Sequence, residues 1–233
     1  QDYVGKVLFK SDRERVAAFF LLDPKSGDVC RVDDPNVGFY YAEAREREFL
    51  SPDDRYRLFV HQVGGDYQIW QKDTETGATA YVIGGGSGAD YDPAWSPDGH
   101  RVAYVSQRDG NDEVYVYDGR TNIDKRLTTN AWEWDKRPSW SPDGEQIVFW
   151  SNREGGWKQL WMMGADGSAQ RNVSGWGQWN DWDPVWVKAP PSPPPALELP
   201  ELAPPPQAPK VKVLPRQWYV GKILFKSDRG GSE

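Results

Sequence analysis

The stretch Asp92-Pro93-Ala94-Trp95-Ser96-Pro97-Asp98-Gly99 returns as Arg137-Pro138-Ser139-Trp140-Ser141-Pro142-Asp143-Gly144, and its first half returns again as Asp183-Pro184-Val185-Trp186. Pro93 and Pro138 stand 45 residues apart, and Pro138 and Pro184 stand 46 apart. A weaker member, Leu50-Ser51-Pro52-Asp53, places its serine 45 residues before Ser96. A period in this range marks a repeat architecture. One such repeat cannot bury its own apolar face, so the fold must come from stacking copies.

Each copy reads as four strands. Pro93-Ala94-Trp95 is a short apolar stretch stopped by Ser96-Pro97-Asp98-Gly99, where Pro fixes φ, Asp caps locally and Gly accepts positive φ. Strand formers follow in Arg101–Ser106 and Glu113–Asp118, separated by the turn Gln107–Asn111, and Lys125–Thr128 makes an outer strand. The next copy repeats this with Glu145–Ser151, Gln159–Met163 and Arg171–Ser174. The preceding copy is degenerate: Tyr56–Val60, Tyr67–Trp70 and Ala80–Ile83 are legible, and its expected first strand, Arg47–Leu50, carries charges where the others carry Pro-x-Trp. At the N-terminus, Val4–Arg13 matches a second strand, Phe19–Asp23 a third and Val29–Val32 a fourth. Its missing first strand is supplied by Asp183–Lys188. Four strands in about 45 residues is the size of a propeller blade. The expectation is an all-β propeller of four blades, the first closed by strands from both ends, which removes an exposed sheet edge.

The Ser-Pro-Asp-Gly turns, with Ser106-Gln107-Arg108-Asp109-Gly110 and its variants Ser151-Asn152-Arg153-Glu154-Gly155 and Ser11-Asp12-Arg13-Glu14, resemble the TolB-type (WD-like) propeller repeats of bacterial envelope proteins. The resemblance covers roughly residues 4–188 and is specific for fold, weak for function. It implies six or more blades in most relatives, so a count of four implies either a small, strongly twisted ring or an object completed by another chain. The blades are expected at about 1–38 plus 182–188, 39–84, 90–130 and 135–175.

Beyond residue 188 the composition changes. Residues 189–216 are dominated by Pro, including Pro193-Pro194-Pro195 and Pro204-Pro205-Pro206, and read as an extended polyproline II spacer. Residues 217–233 then repeat the head of the chain (1–17) as a terminal strand: Gln217–Arg229 matches Gln1–Arg13 at eleven of thirteen positions. Two readings stand side by side. The tail begins a further propeller in a longer string, or it leaves its own body and pairs with the sheet of another copy. A head-to-tail contact of that kind builds filaments unless the rotation closes. In either case the self-association strand is Tyr219, Val220, Ile223, Leu224, Phe225 and Lys226, and the partners are other copies or tandem propellers.

Composition bounds the chemistry. The 233 residues carry a formal charge of −7, which argues against a nucleic-acid partner. No apolar run is long enough to span a bilayer. The single cysteine, Cys30, excludes an internal disulfide and reads as a strand residue. His61 and His100 have no Cys or His at metal-ligand spacing, and the Gly84–Gly88 run fits neither a nucleophile elbow nor a phosphate loop. Asp53, Asp98 and Asp143 are already used by turn geometry and form no calcium loop. Asn172-Val173-Ser174 is a glycosylation sequon by pattern. No catalytic residues, metal or cofactor are expected, and the chain reads as a non-enzyme. Among 13 Trp, Trp132, Trp134, Trp176, Trp179 and Trp182 crowd two equivalent inter-blade connections. They serve either inter-blade packing or a surface for glycan or protein.

The functional expectation is a non-enzymatic extracellular or cell-surface scaffold that links copies of itself, with the periplasm as the alternative location. The competing classes are an envelope receptor using the Trp loops and the propeller part of a larger peptidase, which would need a hydrolase domain supplying Ser, Asp and His.

Overall fold

The computed structural model describes residues 3–84, 86–175 and 177–189. The elements in chain order are β1 (Val7–Ser11), β2 (Ala18–Leu22), β3 (Val29–Arg31), α1 (Val37–Phe49), β4 (Tyr56–Val63), β5 (Asp66–Asp73), β6 (Thr79–Ile83), β7 (Asp90–Trp95), β8 (Arg101–Ser106), β9 (Glu113–Asp118), β10 (Ile123–Arg126), β11 (Asp135–Trp140), β12 (Gln146–Ser151), β13 (Gln159–Gly164), β14 (Arg171–Asn172) and β15 (Asp181–Trp186). They form four antiparallel sheets: β15-β1-β2-β3, β4-β5-β6, β7-β8-β9-β10 and β11-β12-β13-β14. These are the four blades, and the first is closed by β15 pairing with β1, Val7 opposite Trp186 and Ser11 opposite Asp181.

The repeated turn holds each blade's inner hairpin by one device used three times. Ser96 donates its hydroxyl to Asp98 at 2.5 Å and accepts the Arg101 amide at 3.0 Å, while Asp98 accepts the His100 amide at 2.9 Å. Ser141 and Asp143 repeat this geometry at 2.5, 2.9 and 3.0 Å, and Ser51 and Asp53 at 2.5, 2.9 and 3.2 Å. Gly99 and Gly144 take φ of +69° and +72°, where a side chain would be strained.

A second device sits mid-strand. The residue before each repeated proline is left-handed: Asp92 at φ 52°, Arg137 at 58° and Asp183 at 51°. The ladder shifts register there, between Tyr91 and Ala94 and between Lys136 and Ser139. Proline has no N–H to give a ladder, so a bulge accommodates it.

The strands β1, β8 and β12 bury both faces. In β12, Ile147 and Phe149 pack with Ala94, Ala103 and Val114 of the third blade, while Val148 and Trp150 pack with Val7, Phe9 and Phe20 of the first. Leu58, Ile69 and Ile83 join the second blade to Val102, Tyr104 and Tyr115 of the third.

The junction between the first and second blades differs. The expected strand at Arg47–Leu50 is the end of a helix, α1, and only an isolated bridge from Leu50 to Arg57 marks where the strand would have run. The second blade therefore has three strands. Tyr40–Glu48 is rich in Ala, Glu and Arg, which favour a helix over a strand. The helix buries Val37 and Ala44 against Leu8, Leu21 and Val185 of the first blade. It ends at Leu50, in extended backbone, just before Ser51-Pro52.

Candidate functional site

The slot occupied by β1 is the candidate site, because a second copy of its sequence exists in the chain. Val7, Leu8, Phe9 and Ser11 are fully buried between β15 and β2. The near end is tied by the Gly5 amide to Val187 O at 2.9 Å and the Val187 amide to Lys6 O at 2.9 Å. At the far end Asp12 accepts the Asn180 amide at 2.6 Å and its side-chain NH2 at 2.9 Å. Lys10 pairs with Asp183 at 3.1 Å.

Arg13 locks this end. Its Nη2 donates to both oxygens of Asp181, at 3.0 and 2.9 Å, and its Nε donates to Ser11 Oγ at 3.1 Å. The guanidinium lies 4.9 Å from the Phe20 ring centre and 5.3 Å from that of Trp179. The same Ser-Arg-Asp clamp recurs: Arg153 holds Asp135 at 2.8 Å over Trp161, and Arg108 reaches Asp90 at 3.5 Å over Tyr115. Burial pushes Asp135 up to about 6 despite Arg153, and raises Asp90 despite Ser106 and Arg108. The clamp explains the Ser-x-Arg motif: Arg from the end of a second strand neutralises the buried Asp that opens the first strand beside it.

Around the axis the three bulged positions meet. Arg137 pairs with Asp92 at 3.2 Å and Asp183 at 3.4 Å, and Tyr41 of α1 donates to Asp183 O at 3.0 Å. Burial raises the Asp92 carboxyl although Arg137 and Arg45 oppose it, and burial with nearby Asp183 pushes the Tyr41 phenol up to about 12. Deeper along α1, Glu48 is buried and accepts from Lys188 Nζ at 2.8 Å and Ser139 Oγ at 3.1 Å.

The Trp residues divide. Trp132 is 86% exposed and Trp134 47% exposed, the latter with its amide on Asn152 Oδ1 at 2.7 Å and Lys136 Nζ 5.0 Å from its ring. Trp179 lies against Gly177, so closely that any side chain there would collide with its ring, and donates to Asp181 at 3.2 Å. Trp182 packs against the core shared by the first and fourth blades. Those two are packing groups. Trp157, 40% exposed at the β12–β13 turn, was passed over in the sequence; its signal is a large ring directly after Gly155-Gly156. Trp176 and the strand residues Tyr219, Val220, Ile223, Leu224, Phe225 and Lys226 lie outside the described residues.

Cys30 is exposed on β3, and His61 sits in an aromatic row 5.4 Å from Trp70. Asn172, in the sequon, has its amide nitrogen buried in the folded chain, while its Oδ1 accepts the Ser174 and Gly175 amides at 3.1 Å. Among the described residues no group of three or more His, Cys, Asp or Glu could hold a metal, and no helix is long and apolar enough to cross a membrane.

A closed-blade β-propeller with these repeats defines the class, and the comparisons place the chain within it. The family model described as the TolB beta propeller domain matches residues 48–189, and the chain belongs to that family. TolB from Acinetobacter baumannii is similar at 26% identity and a TM-score of 0.53, over 78% of this chain and 44% of that protein. A putative TolB from Agrobacterium tumefaciens shows 19% identity and a TM-score of 0.49, over 78% and 63% respectively. A puromycin hydrolase shows 16% identity and a TM-score of 0.43, over 72% and 29%. The chain thus spans less than half the length of the Acinetobacter protein. No curated protein matches it.

Proposed function

We propose that this propeller is a non-catalytic assembly module of the bacterial cell surface or envelope, and that the β1 slot of one copy takes Gln217–Arg229 of another. The observation that carries this reading is the fit between slot and replica. Every residue that fastens β1, namely Gly5, Lys6, Lys10, Ser11, Asp12 and Arg13, recurs at the same spacing as Gly221, Lys222, Lys226, Ser227, Asp228 and Arg229. Leu8 and Phe9 recur as Leu224 and Phe225, and Val7 becomes Ile223, one methylene larger. β1 is buried on both faces, so a segment with its side chains carries more apolar surface than a lone edge strand can cover. Exchange of an identical element between copies swaps like for like and costs little.

Light scattering on the purified full chain tests this. Assembly that rises with concentration and disappears on deletion of Gln217–Glu233 supports it. A full chain that stays monomeric at all concentrations overturns it and favours the replica as the opening strand of a following propeller.

A second reading has its own observation. Exposed Trp132, Trp134 and Trp157 all lie on loops at the end of the molecule opposite the Ser-Pro-Asp turns, where aromatic faces can stack on sugar rings. Near Trp157 a cavity of about 410 Å³ is walled by Glu154, Gln159 and Gln178. Retention on a polysaccharide that is lost in Trp132→Ala and Trp134→Ala, with the fold intact, would support it; equal retention would end it.

A further inference from the structure

Beside each clamp stands a further acid, and one of the three lacks a cation. Glu14, Asp109 and Glu154 directly follow the clamp arginines Arg13, Arg108 and Arg153. In the first blade Glu14 pairs with Arg31, and in the third Asp109 pairs with Arg126 at 2.9 Å. Those two arginines hold the same place on their outer strands, Arg31 opposite Phe20 and Arg126 opposite Tyr115. In the fourth blade that place, opposite Trp161, belongs to Asn172.

Glu154 is therefore without the guanidinium that its counterparts have. Its Oε2 is buried, and among the described residues Glu154 has no hydrogen bond and no ion pair. The other buried carboxylate oxygens without a hydrogen bond, on Glu48 and Asp135, belong to groups that already hold Lys188 and Arg153. The cations near Glu154 in sequence and sheet are spent: Arg153 on Asp135 and Gln170, Lys158 over the Trp150 ring, and Arg171 against the Met162 sulfur. At the Tyr115 and Arg126 positions the fourth blade offers two neutral donors, Trp161 Nε1 and Asn172 Nδ2, both buried without an acceptor. They can hydrogen-bond a carboxylate but cannot neutralise it.

The carboxylate is also accessible. With Trp157, Gln159 and Gln178 it lines the cavity of about 410 Å³. Gln159 is committed, donating to Trp179 O at 2.9 Å, while the Trp157 ring is exposed on the wall. A carboxylate beside an exposed indole suits a guanidinium, which is planar, always charged and stacks on aromatic rings. A neutral sugar would use the ring and leave the charge unmet. We propose that this cavity binds an arginine side chain presented by a partner polypeptide, its guanidinium pairing with Glu154 and stacking on Trp157. The site stands whether or not the β1 slot exchanges strands.

The test follows the Trp157 indole N–H signal of the full chain, identified by Trp157→Phe, during titration with acetyl-arginine amide and with its neutral isostere acetyl-citrulline amide. The arginine compound is expected to move the signal saturably, and the citrulline compound to bind at least about tenfold more weakly, since a charge-assisted bond outweighs a neutral one. Glu154→Gln should remove that preference. Asn172→Arg restores the arrangement of the first and third blades, and should close the site and remove the response with the circular dichroism unchanged. Equal responses to the two compounds, or an undiminished preference in Glu154→Gln, overturn the proposal. No response of Trp157 to the arginine compound also overturns it; a Trp161 indole signal that moves in Glu154→Gln would then show the carboxylate bonded within its own blade.

Discussion

Removing Arg13 makes two copies of one strand unequal, and the direction of the resulting change is fixed by the geometry. In Arg13→Ala the resident β1 leaves Asp181 fully buried and without its cation. Deleting one member of a buried pair costs about 3–5 kcal/mol. The stacking of the guanidinium over Phe20 adds about 0.5–1 kcal/mol more. The replica still carries Arg229, so it repairs Asp181 when it takes the slot. At about 1.4 kcal/mol per tenfold, the competition swings by roughly 300-fold to 10⁴-fold toward the replica. Arg13→Ala is therefore expected to assemble at lower concentration than the parent, Arg229→Ala at higher, and the double variant like the parent. Light scattering over a dilution series reads the order, with circular dichroism confirming that each variant folds. The reasoning fails if Arg13→Ala is less stable yet assembles no more readily, or if Arg229→Ala changes nothing.

Three further outcomes follow from the fold. Trp179→Ala should lower stability by at least about 2 kcal/mol, a fall of several degrees in melting temperature, whereas Trp132→Ala should stay within about 0.5 kcal/mol; differential scanning calorimetry separates them. Gly144→Ala should cost about 1–2 kcal/mol, because φ is +72° and its Cβ would stand 3.4 Å from both Pro97 and Arg101; urea midpoints measure it. The turn carboxylates govern the acid limb. The Ser51 hydroxyl and Arg55 amide lower Asp53, and the Ser141 hydroxyl and Glu145 amide lower Asp143. Partial burial would raise Asp98, but the Ser96 hydroxyl, the His100 amide and Arg101 outweigh it. A depressed folded value stabilises above the unfolded value of about 3.9 and is lost as pH falls through the folded one. Urea midpoints should thus drop below pH 4, and the triple variant Ser51→Ala, Ser96→Ala, Ser141→Ala should show a flatter drop.

The blades were legible because their signals are local. Ser-Pro-Asp-Gly fixes a turn by its own side chains, and the flanking strands are short runs of β-branched and aromatic residues, so the four sheets and the closure of the first by β15 could be read directly. The candidate site was partly legible. The thirteen-residue replica is plain, but that β1 is a central strand buried on both faces depends on the pairing with β15 and on the blades either side. The Trp loops were not separable by composition: Trp179 and Trp132 look alike in sequence, and the close approach of Gly177 to the ring and the hydrogen bond to Asp181 are what hold Trp179 against the protein.

The helix was the miss, and its trace lies in residues one period upstream of the clamp. Asp90, Ser106 and Arg108 form one clamp, and Asp135, Ser151 and Arg153 another, each 45 residues on. Stepping back 45 from the first set gives Arg45, His61 and Val63. All three members are absent together. An arginine in the clamp exists to neutralise a buried Asp on an inner strand; with no such strand, it would be a cation without a partner, and an apolar residue there costs nothing. Val63 is accordingly exposed at the tip of β4, while Arg45 sits on α1 with a long 3.5 Å contact to Pro184 O and its guanidinium 5.9 Å from the Phe49 ring centre. The joint loss of three residues that act as one clamp is a sign, in a repeat protein, that the element they would have joined is missing. The degenerate blade thus keeps three strands of the repeat and has lost its inner strand together with the residues that served it.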